Sequence, residues 1–285
     1  MMNDECWKAI CRDAGGCAGS KHAGASKVSH VAQNITRNLM PGILRHATSF
    51  REFTVGAKPP RASAIRCLPH SLPTSTRPGV PCLLIATKNP HKTAEIRAIL
   101  GDAWEVSDLT AHPEVPAPEE TGATFEDNAR IKAEAASRIF PGIVLSDDSG
   151  LEVDALGGAP GVQSALYAGT HGDDAGNRAR LKRELSLCGK AEPWTARFRC
   201  AMALAREGRT LMTCDGRVEG RVIAEESGAG GFGYDALFIP DGHAETFGQL
   251  SPEVKNTLSH RARALAKAAG ILAELQGQAT RNPGG

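Results

Sequence analysis

Long hydrophobic runs are missing from this chain: no stretch approaches the roughly 20 consecutive apolar residues that a membrane-spanning helix needs. The N-terminus has no apolar core of the secretory kind, so nothing in the sequence calls for export. None of the eight cysteines forms a C-x-x-C pair, and no Cys/His group has zinc-finger spacing. Reduced thiols in a cytoplasmic location follow as the default. Cys82 and Cys200 lie inside apolar stretches and are expected to be small buried hydrophobes. The Gly-x-x-x-x-Gly-Lys pattern of a Walker A loop is also missing, and no internal repeat is evident.

Acidic residues are scarce at one end. Residues 1–80 hold 11 Lys and Arg against 4 Asp and Glu, a net of +7, and residues 81–285 hold 22 against 28, a net of −6. The chain's formal charge of +1 hides that asymmetry. A nucleic-acid binder carries its positive charge on the folded part; here the folded part is acidic. Neither nucleic acid nor membrane is therefore expected as a partner.

The 285 residues suffice for one large domain or two small ones, and 41% hydrophobic content supports a real core. Residues 1–80 are rich in Ser, Ala, Arg, Gly and Pro, and six prolines between Lys58 and Pro81 oppose helix and central strand. They read as a disordered basic extension. An organelle transit peptide and a start codon placed too far upstream are the alternatives. Residues 81–276 are expected to form the folded domain, and residues 277–285 a flexible tail.

Order begins at Cys82. The run Cys82–Thr87 suits a buried strand, and Asn89-Pro90 then supplies an N-cap and a first-turn proline for a helix to Leu100. Trp104–Asp108 reads as a strand. Thr124 with Asp127 resembles a capping box for a helix reaching Phe140, where Pro141-Gly142 stops it. Ile143–Ser146 is a further buried strand, read as ending in an acidic turn. A glycine-rich loop spans Gly157–Gly161, and a helix covers Asp173–Leu187. Thr195–Ala205 alternates like a half-buried strand, residues 210–223 hold one or two more, and Gly228–Asp235 is a glycine-rich loop. Two helices capped at Ser251 and Ser259 close the chain. Strands interleaved with helices predict an α/β fold, and the helix-free succession after Thr195 predicts a mixed sheet.

Four segments place polar residues at element ends, where ligand sites concentrate in α/β proteins. In Thr87-Lys88-Asn89-Pro90-His91-Lys92, a helix N-terminus beside two lysines suits phosphate. In Ser146-Asp147-Asp148-Ser149-Gly150, the side chains of Asp147 and Asp148 point to opposite faces. One carboxylate is then available to a metal or water while the other ties down the turn, and Glu119-Glu120 offers a further oxygen for magnesium. In Gly230–Asp235, Phe232 or Tyr234 has a ring for a base, with Gly233 allowing close approach. Lys255-Asn256 and Ser259-His260-Arg261 supply donors for phosphate or a keto oxygen.

Taken in order, these motifs resemble the inosine/xanthosine triphosphate pyrophosphatase family from about Leu83 to Leu272. The matches are Thr87-x-Asn89-x-x-Lys92, Glu119-Glu-Thr-Gly122 with Thr124-Phe125 and Asn128-Ala129, and Asp147-Asp-Ser-Gly-Leu-x-Val-Asp154. They continue with Gly158-Ala-Pro-Gly161, Ser164-Ala165, Tyr167-Ala-Gly169, Phe232-Gly-Tyr-Asp235, Lys255-Asn256 and Ser259-His-Arg261. The resemblance implies a two-lobed α/β fold with an elongated mixed central sheet flanked by helices, an active-site cleft between the lobes, and a homodimer.

It also implies hydrolysis of ITP, dITP and XTP to the monophosphate and pyrophosphate. Carried over by position, Thr87, Lys88, Asn89, Pro90, His91 and Lys92 line the triphosphate. Asp148 is catalytic base and, with Glu120, a ligand of Mg²⁺. Ser149 touches substrate, Phe232, Gly233, Tyr234 and Asp235 enclose the nucleotide, Lys255 reaches phosphate, and His260 and Arg261 read the purine edge. Leu166, Ala236, Gln249 and Asp127 depart from the family's usual Arg, Pro, Glu and Glu, which touches oligomer strength more than chemistry. The competing readings are a pyrophosphatase for modified pyrimidine or methylated nucleotides, a nucleotide sensor without chemistry, and a nucleic-acid-binding module.

Overall fold

The computed structural model describes residue 77 and residues 79–281, without the side chains of residues 279–281. Nearly all of the expected N-terminal extension therefore lies outside the described residues.

Strand β1 (Cys82–Ile85) is a buried run. The chain turns at Thr87 into helix α1 (Pro90–Leu100), where the Asn89 side chain accepts from the backbone N–H groups of His91 and Lys92. Strand β2 (Glu105–Asp108) lies parallel to β1. Helix α2 (Phe125–Ser137) opens at Thr124, whose Oγ accepts from the Asp127 N–H and donates to the Asp127 carboxylate. Aspartate is one methylene shorter than the glutamate of a usual capping box, and its bond goes to the hydroxyl. The helix ends three residues before the expected Phe140.

Strand β3 (Ile143–Val153) holds the largest departure from expectation. The acidic stretch read as a turn is the middle of this strand. Pairing with β4 (Trp194–Arg206) continues unbroken from Val144 to Val153, and the carboxylates that would otherwise end a buried strand are met by cations. Helix α3 (Asp174–Leu187) is capped by Asp173. Residues 210–223 contribute one long strand, β5 (Arg209–Val222), and a short β6 (Phe238–Pro240) follows the glycine-rich loop. Helices α4 (Pro252–Leu258) and α5 (His260–Arg281) close the fold, with Ser251 and Ser259 bonding first-turn N–H groups. Helix α5 runs past residue 276, so the expected flexible tail is helical as far as Arg281.

The sheet order is β2-β1-β3-β4-β5-β6, parallel on the β2 side of β3 and antiparallel beyond it. Helices α1 and α5 cover one face, packing Ile96, Leu265 and Leu272 against Leu83, Leu145 and Met202. Helix α2 covers the other with Phe125, Ala129 and Ala133 against Ala201, Ala203 and Ala205. Cover on both sides explains why β4 is buried from Cys200 to Ala205 instead of alternating. A second core gathers Leu151, Phe198, Phe238, Phe247 and the apolar side of α3 farther along the long strands. Between the cores, β3 carries Asp147 and Ser149 where apolar residues would join them. The mixed α/β fold, a six-stranded mixed sheet flanked by helices, is the one expected from sequence.

Candidate active site

Strand β1 is the point at which the strand order reverses: α1 leads from it to β2, and α2 returns the chain to its other neighbour, β3. Crevices at the carboxyl ends of such strands are where ligands bind in α/β sheets. Here the crevice has a simple cause. The Ala86 N–H to Leu145 carbonyl bond is the last link between the two strands, while β3 runs on to Val153. Past that link, the Asp147 carbonyl accepts from Lys132 Nζ at 3.0 Å and Lys92 Nζ at 3.5 Å.

Strand alternation sends the two carboxylates to opposite faces, as read from sequence. Asp147 faces α1 and α5. Its oxygens lie 2.6 Å from Lys92 Nζ and 2.9 Å from Arg261 Nε, and it accepts from Ser149 Oγ at 2.9 Å and Cys200 Sγ at 3.0 Å. Burial acts to raise its pKa, but Arg261 and Lys92 prevail and hold it well below the usual carboxylate range. Cys200 is buried as expected, yet its thiol is a donor to this carboxylate; Cys82 is only half-buried.

Asp148 faces α2. Its oxygens meet Lys132 Nζ at 2.8 Å and Asn128 Nδ2 at 3.3 Å, and Lys132 also pairs with Glu120 at 3.3 Å. Burial outweighs the lysines and pushes its carboxyl up to about 6. Lys132 is itself buried; desolvation opposes its charge, but Asp148 and Glu120 hold its pKa above the ordinary lysine value.

A pocket with about 650 Å³ of open space lies on the α1 and α5 side of β3. Of the residues expected at a site, Asn89, Lys92, Ser149, Phe232, Gly233, Tyr234, Asp235, Lys255, His260 and Arg261 line it. Thr87, Lys88, Pro90, His91, Glu120 and Asp148 stand outside that lining. Thr87 Oγ accepts from the Asn89 N–H and fixes the turn, while Lys88 and Pro90 face solvent. His91 stacks on Phe232 with ring centroids 5.2 Å apart.

The cations expected to meet the nucleotide are paired within the protein. Lys255 Nζ is 2.7 Å from Glu95 and 2.5 Å from Asp235, and Arg261 is shared among Asp147, Glu95 and Ser149. Each cation is buried and needs a partner when no ligand is present. His260 is buried too, its ring stacked 4.9 Å from that of Phe198, and its Nδ1 finds no hydrogen-bond partner among the described residues. Burial, with Arg261 adding to it, holds its pKa well below the ordinary histidine value, so the ring is neutral.

Sequence reading missed Glu95, Lys132 and Asp174. Lys132 had a signal: with Phe125, Asn128, Ala129 and Ala133 it lies on one buried stripe of α2, where an unpaired lysine is costly. Glu95 had none, because its partners lie 160 and 166 residues away.

The Ham1 family model matches residues 83–271. A dITP/XTP pyrophosphatase of Halalkalibacterium halodurans is 47% identical over 186 residues, covering 64% of this chain and 94% of that protein. One from Bacillus licheniformis is 46% identical over 191 residues, covering 67% and 97%. Among solved structures, a HAM1 protein from Coxiella burnetii superposes with a TM-score of 0.61 at 36% identity, covering 68% of this chain and 98% of that one. A nucleoside-triphosphatase/dITP/XTP pyrophosphatase from Mycobacterium abscessus gives 0.53 at 43% identity, with coverage of 66% and 98%. With the matched segment spanning every element around the pocket, the chain belongs to the Ham1 family.

Proposed function

We propose that this chain is a nucleoside-triphosphate pyrophosphatase that hydrolyses ITP, dITP and XTP to the monophosphate and pyrophosphate with Mg²⁺, clearing deaminated purines from the nucleotide pool. The names of its curated relatives support the reaction. One observation carries the reading. In the crevice four cations, Lys92, Lys132, Lys255 and Arg261, face five carboxylates, Glu95, Glu120, Asp147, Asp148 and Asp235. A site with that balance accepts a strongly anionic triphosphate only if further positive charge comes with it.

The donor set fits magnesium. Asp148 and Glu120 converge on one ammonium, and two carboxylates that phosphate oxygens and water could complete are the set magnesium favours. Among the described residues no group of three or more His, Cys, Asp or Glu gathers into a fuller cage. When bound, the ion would supply charge neutralisation at the phosphates and polarise the attacked centre.

The chain's own residues do the rest. Lys92 and Lys255 exchange part of their carboxylate pairing for phosphate oxygens. Asp148, oriented by Asn128 and Lys132, takes the proton of the water that attacks the α-phosphorus, while pyrophosphate leaves. Phe232 to Asp235 enclose the nucleotide. His260, neutral and unpartnered at Nδ1, offers a hydrogen bond to a 6-keto purine, beside Arg261. Adenine presents an amino group there and leaves buried donors unpaired, a penalty of about 1–3 kcal/mol each.

Residues 81–276 act as the catalytic domain, as a homodimer in the cytoplasm, with a nucleotide as the partner and neither nucleic acid nor membrane. No described helix is long and apolar enough to cross a membrane. The test is pyrophosphate release from ITP, XTP, GTP, ATP and dUTP, with and without Mg²⁺. Fast release from ITP and XTP that needs the ion is expected; preference for dUTP would move the assignment to the pyrimidine alternative. Light scattering of the full chain tests the dimer.

A further inference from the structure

Helix α3 reaches the pocket through its contacts with the glycine-rich loop. We infer that Asp174 and Arg178, on the first two turns of α3, are positioning residues that clamp the glycine-rich loop and so set where the Phe232 ring stands.

The clamp closes on a single residue from both sides. The Asp174 carboxylate accepts from the Gly233 N–H at 2.7 Å, and Arg178 Nη1 donates to the Gly233 carbonyl at 2.9 Å. Arg178 Nε also bonds Glu226 at 2.9 Å, so one guanidinium ties the loop's near end to its tip. Gly233 has φ +60°, a left-handed conformation that holds no side chain easily, and its backbone is the only handle it offers. A rigid base lies behind the clamp. Leu181 and Leu185 are buried in the second core, and Asn177 bonds the Ala168 N–H and the Ala165 carbonyl.

The neighbouring residue receives the effect. The Phe232 ring stacks on His91 and stands 4.9 Å from Lys255 Nζ. Its N–H is fixed by Asp235 at 2.7 Å, but that bond is internal to the loop and does not place the loop against the rest of the protein. Arg178 and Asp174 hold the residue next to Phe232, where Tyr234 Oη on the Ser164 carbonyl and Gly230 N–H on the Gly248 carbonyl hold the loop on either side, so they set the width between Phe232 and the start of α1. Neither needs to touch the reacting phosphates. Loosening the clamp weakens nucleotide binding and leaves the chemical step alone.

The inference rests on the proposal that Phe232 to Asp235 enclose the nucleotide. The experiment measures KM and kcat for Mg²⁺-dependent pyrophosphate release from ITP, with thermal melting, in the full chain and in R178M, R178K, D174A and F232A. R178M and D174A are each expected to raise KM roughly tenfold, each losing its charge-assisted hydrogen bond to Gly233 and R178M also the one to Glu226, with kcat falling no more than about twofold. R178K, which keeps one of the two bonds, recovers part of the affinity. A general structural defect would instead lower apparent kcat and melting temperature together. If F232A raises KM while R178M and D174A leave it unchanged, the clamp is overturned. If F232A also leaves KM unchanged, the loop does not enclose the nucleotide and both readings fall. Should R178M not fold, D174A carries the same test.

Discussion

Lys132 Nζ lies 2.8 Å from Asp148 Oδ1 and 3.0 Å from the carbonyl oxygen of Asp147, so one buried ammonium grips the side chain of one aspartate and the backbone of the other. It orients the Asp148 carboxylate without being on the same element. Asp148→Asn keeps the shape and removes the proton acceptor. Pyrophosphate release from ITP should fall by about 10²–10⁴-fold while circular dichroism and melting temperature stay near those of the parent. Near-normal turnover would remove Asp148 from its proposed role.

Asp147 predicts the opposite pattern. It is fully enclosed and neutralises Lys92 and Arg261 at once. Asp147→Asn leaves the half-buried Lys92 without its carboxylate partner and the buried Arg261 with Glu95 alone, a loss of about 3–5 kcal/mol. Urea denaturation should show a clearly lower midpoint with an unchanged slope. A midpoint equal to that of Asp148→Asn would contradict the division between a structural and a chemical aspartate.

His260 gives the fold a pH dependence with a definite sign. Burial keeps the ring neutral in the folded state, with its pKa well below 6.5, whereas the unfolded chain takes up a proton near that value. The unfolded state then binds more protons as pH falls, so this stabilisation is complete above about 6.5 and is lost below it. Asp148, pushed up to about 6, works the other way over a lower range. The histidine part is therefore read as a difference: in metal-free urea titrations between pH 7.5 and 5, the parent should lose more stability than His260→Phe. Parallel curves for the two proteins would refute it.

Gly216 makes a prediction about how α5 is seated. A Cβ there would fall on the carbonyl oxygen of His260 and on the backbone of Ala264. Backbone cannot rotate aside, so Gly216→Ala must lift the start of α5 from β5, at about 1–3 kcal/mol or more. Arg261 moves with it. Thermal melting should drop, and pyrophosphate release should fall beyond what the lost folded fraction explains.

Much of this was legible in the chain, because local rules govern the elements that were read well. Asn89-Pro90 announces the start of α1 through an N-cap and a residue with no N–H to waste, and the alternation at Asp147 and Asp148 follows from strand geometry alone. The errors came where tertiary contacts override a local signal. Two adjacent aspartates look like a turn until distant lysines and an arginine neutralise them. Lys255 and Arg261 carry no local sign of a partner, and the fold brings Glu95, far away in sequence, beside both and Asp235 beside Lys255. The capping residue of α2 was right in position, and only the shorter aspartate changed the bond it makes.

The early end of β1 has a wider meaning. A strand only two or three residues longer would pair with the backbone of Asp147 and Asp148 and seal the gap in the sheet, turning a reactive crevice into ordinary interior. What opens the enzyme is where the polypeptide bends away, at Thr87 and Asn89, as much as any side chain within it. Insertions between Ile85 and Pro90 should therefore extinguish activity while every residue proposed to act on the nucleotide is still present.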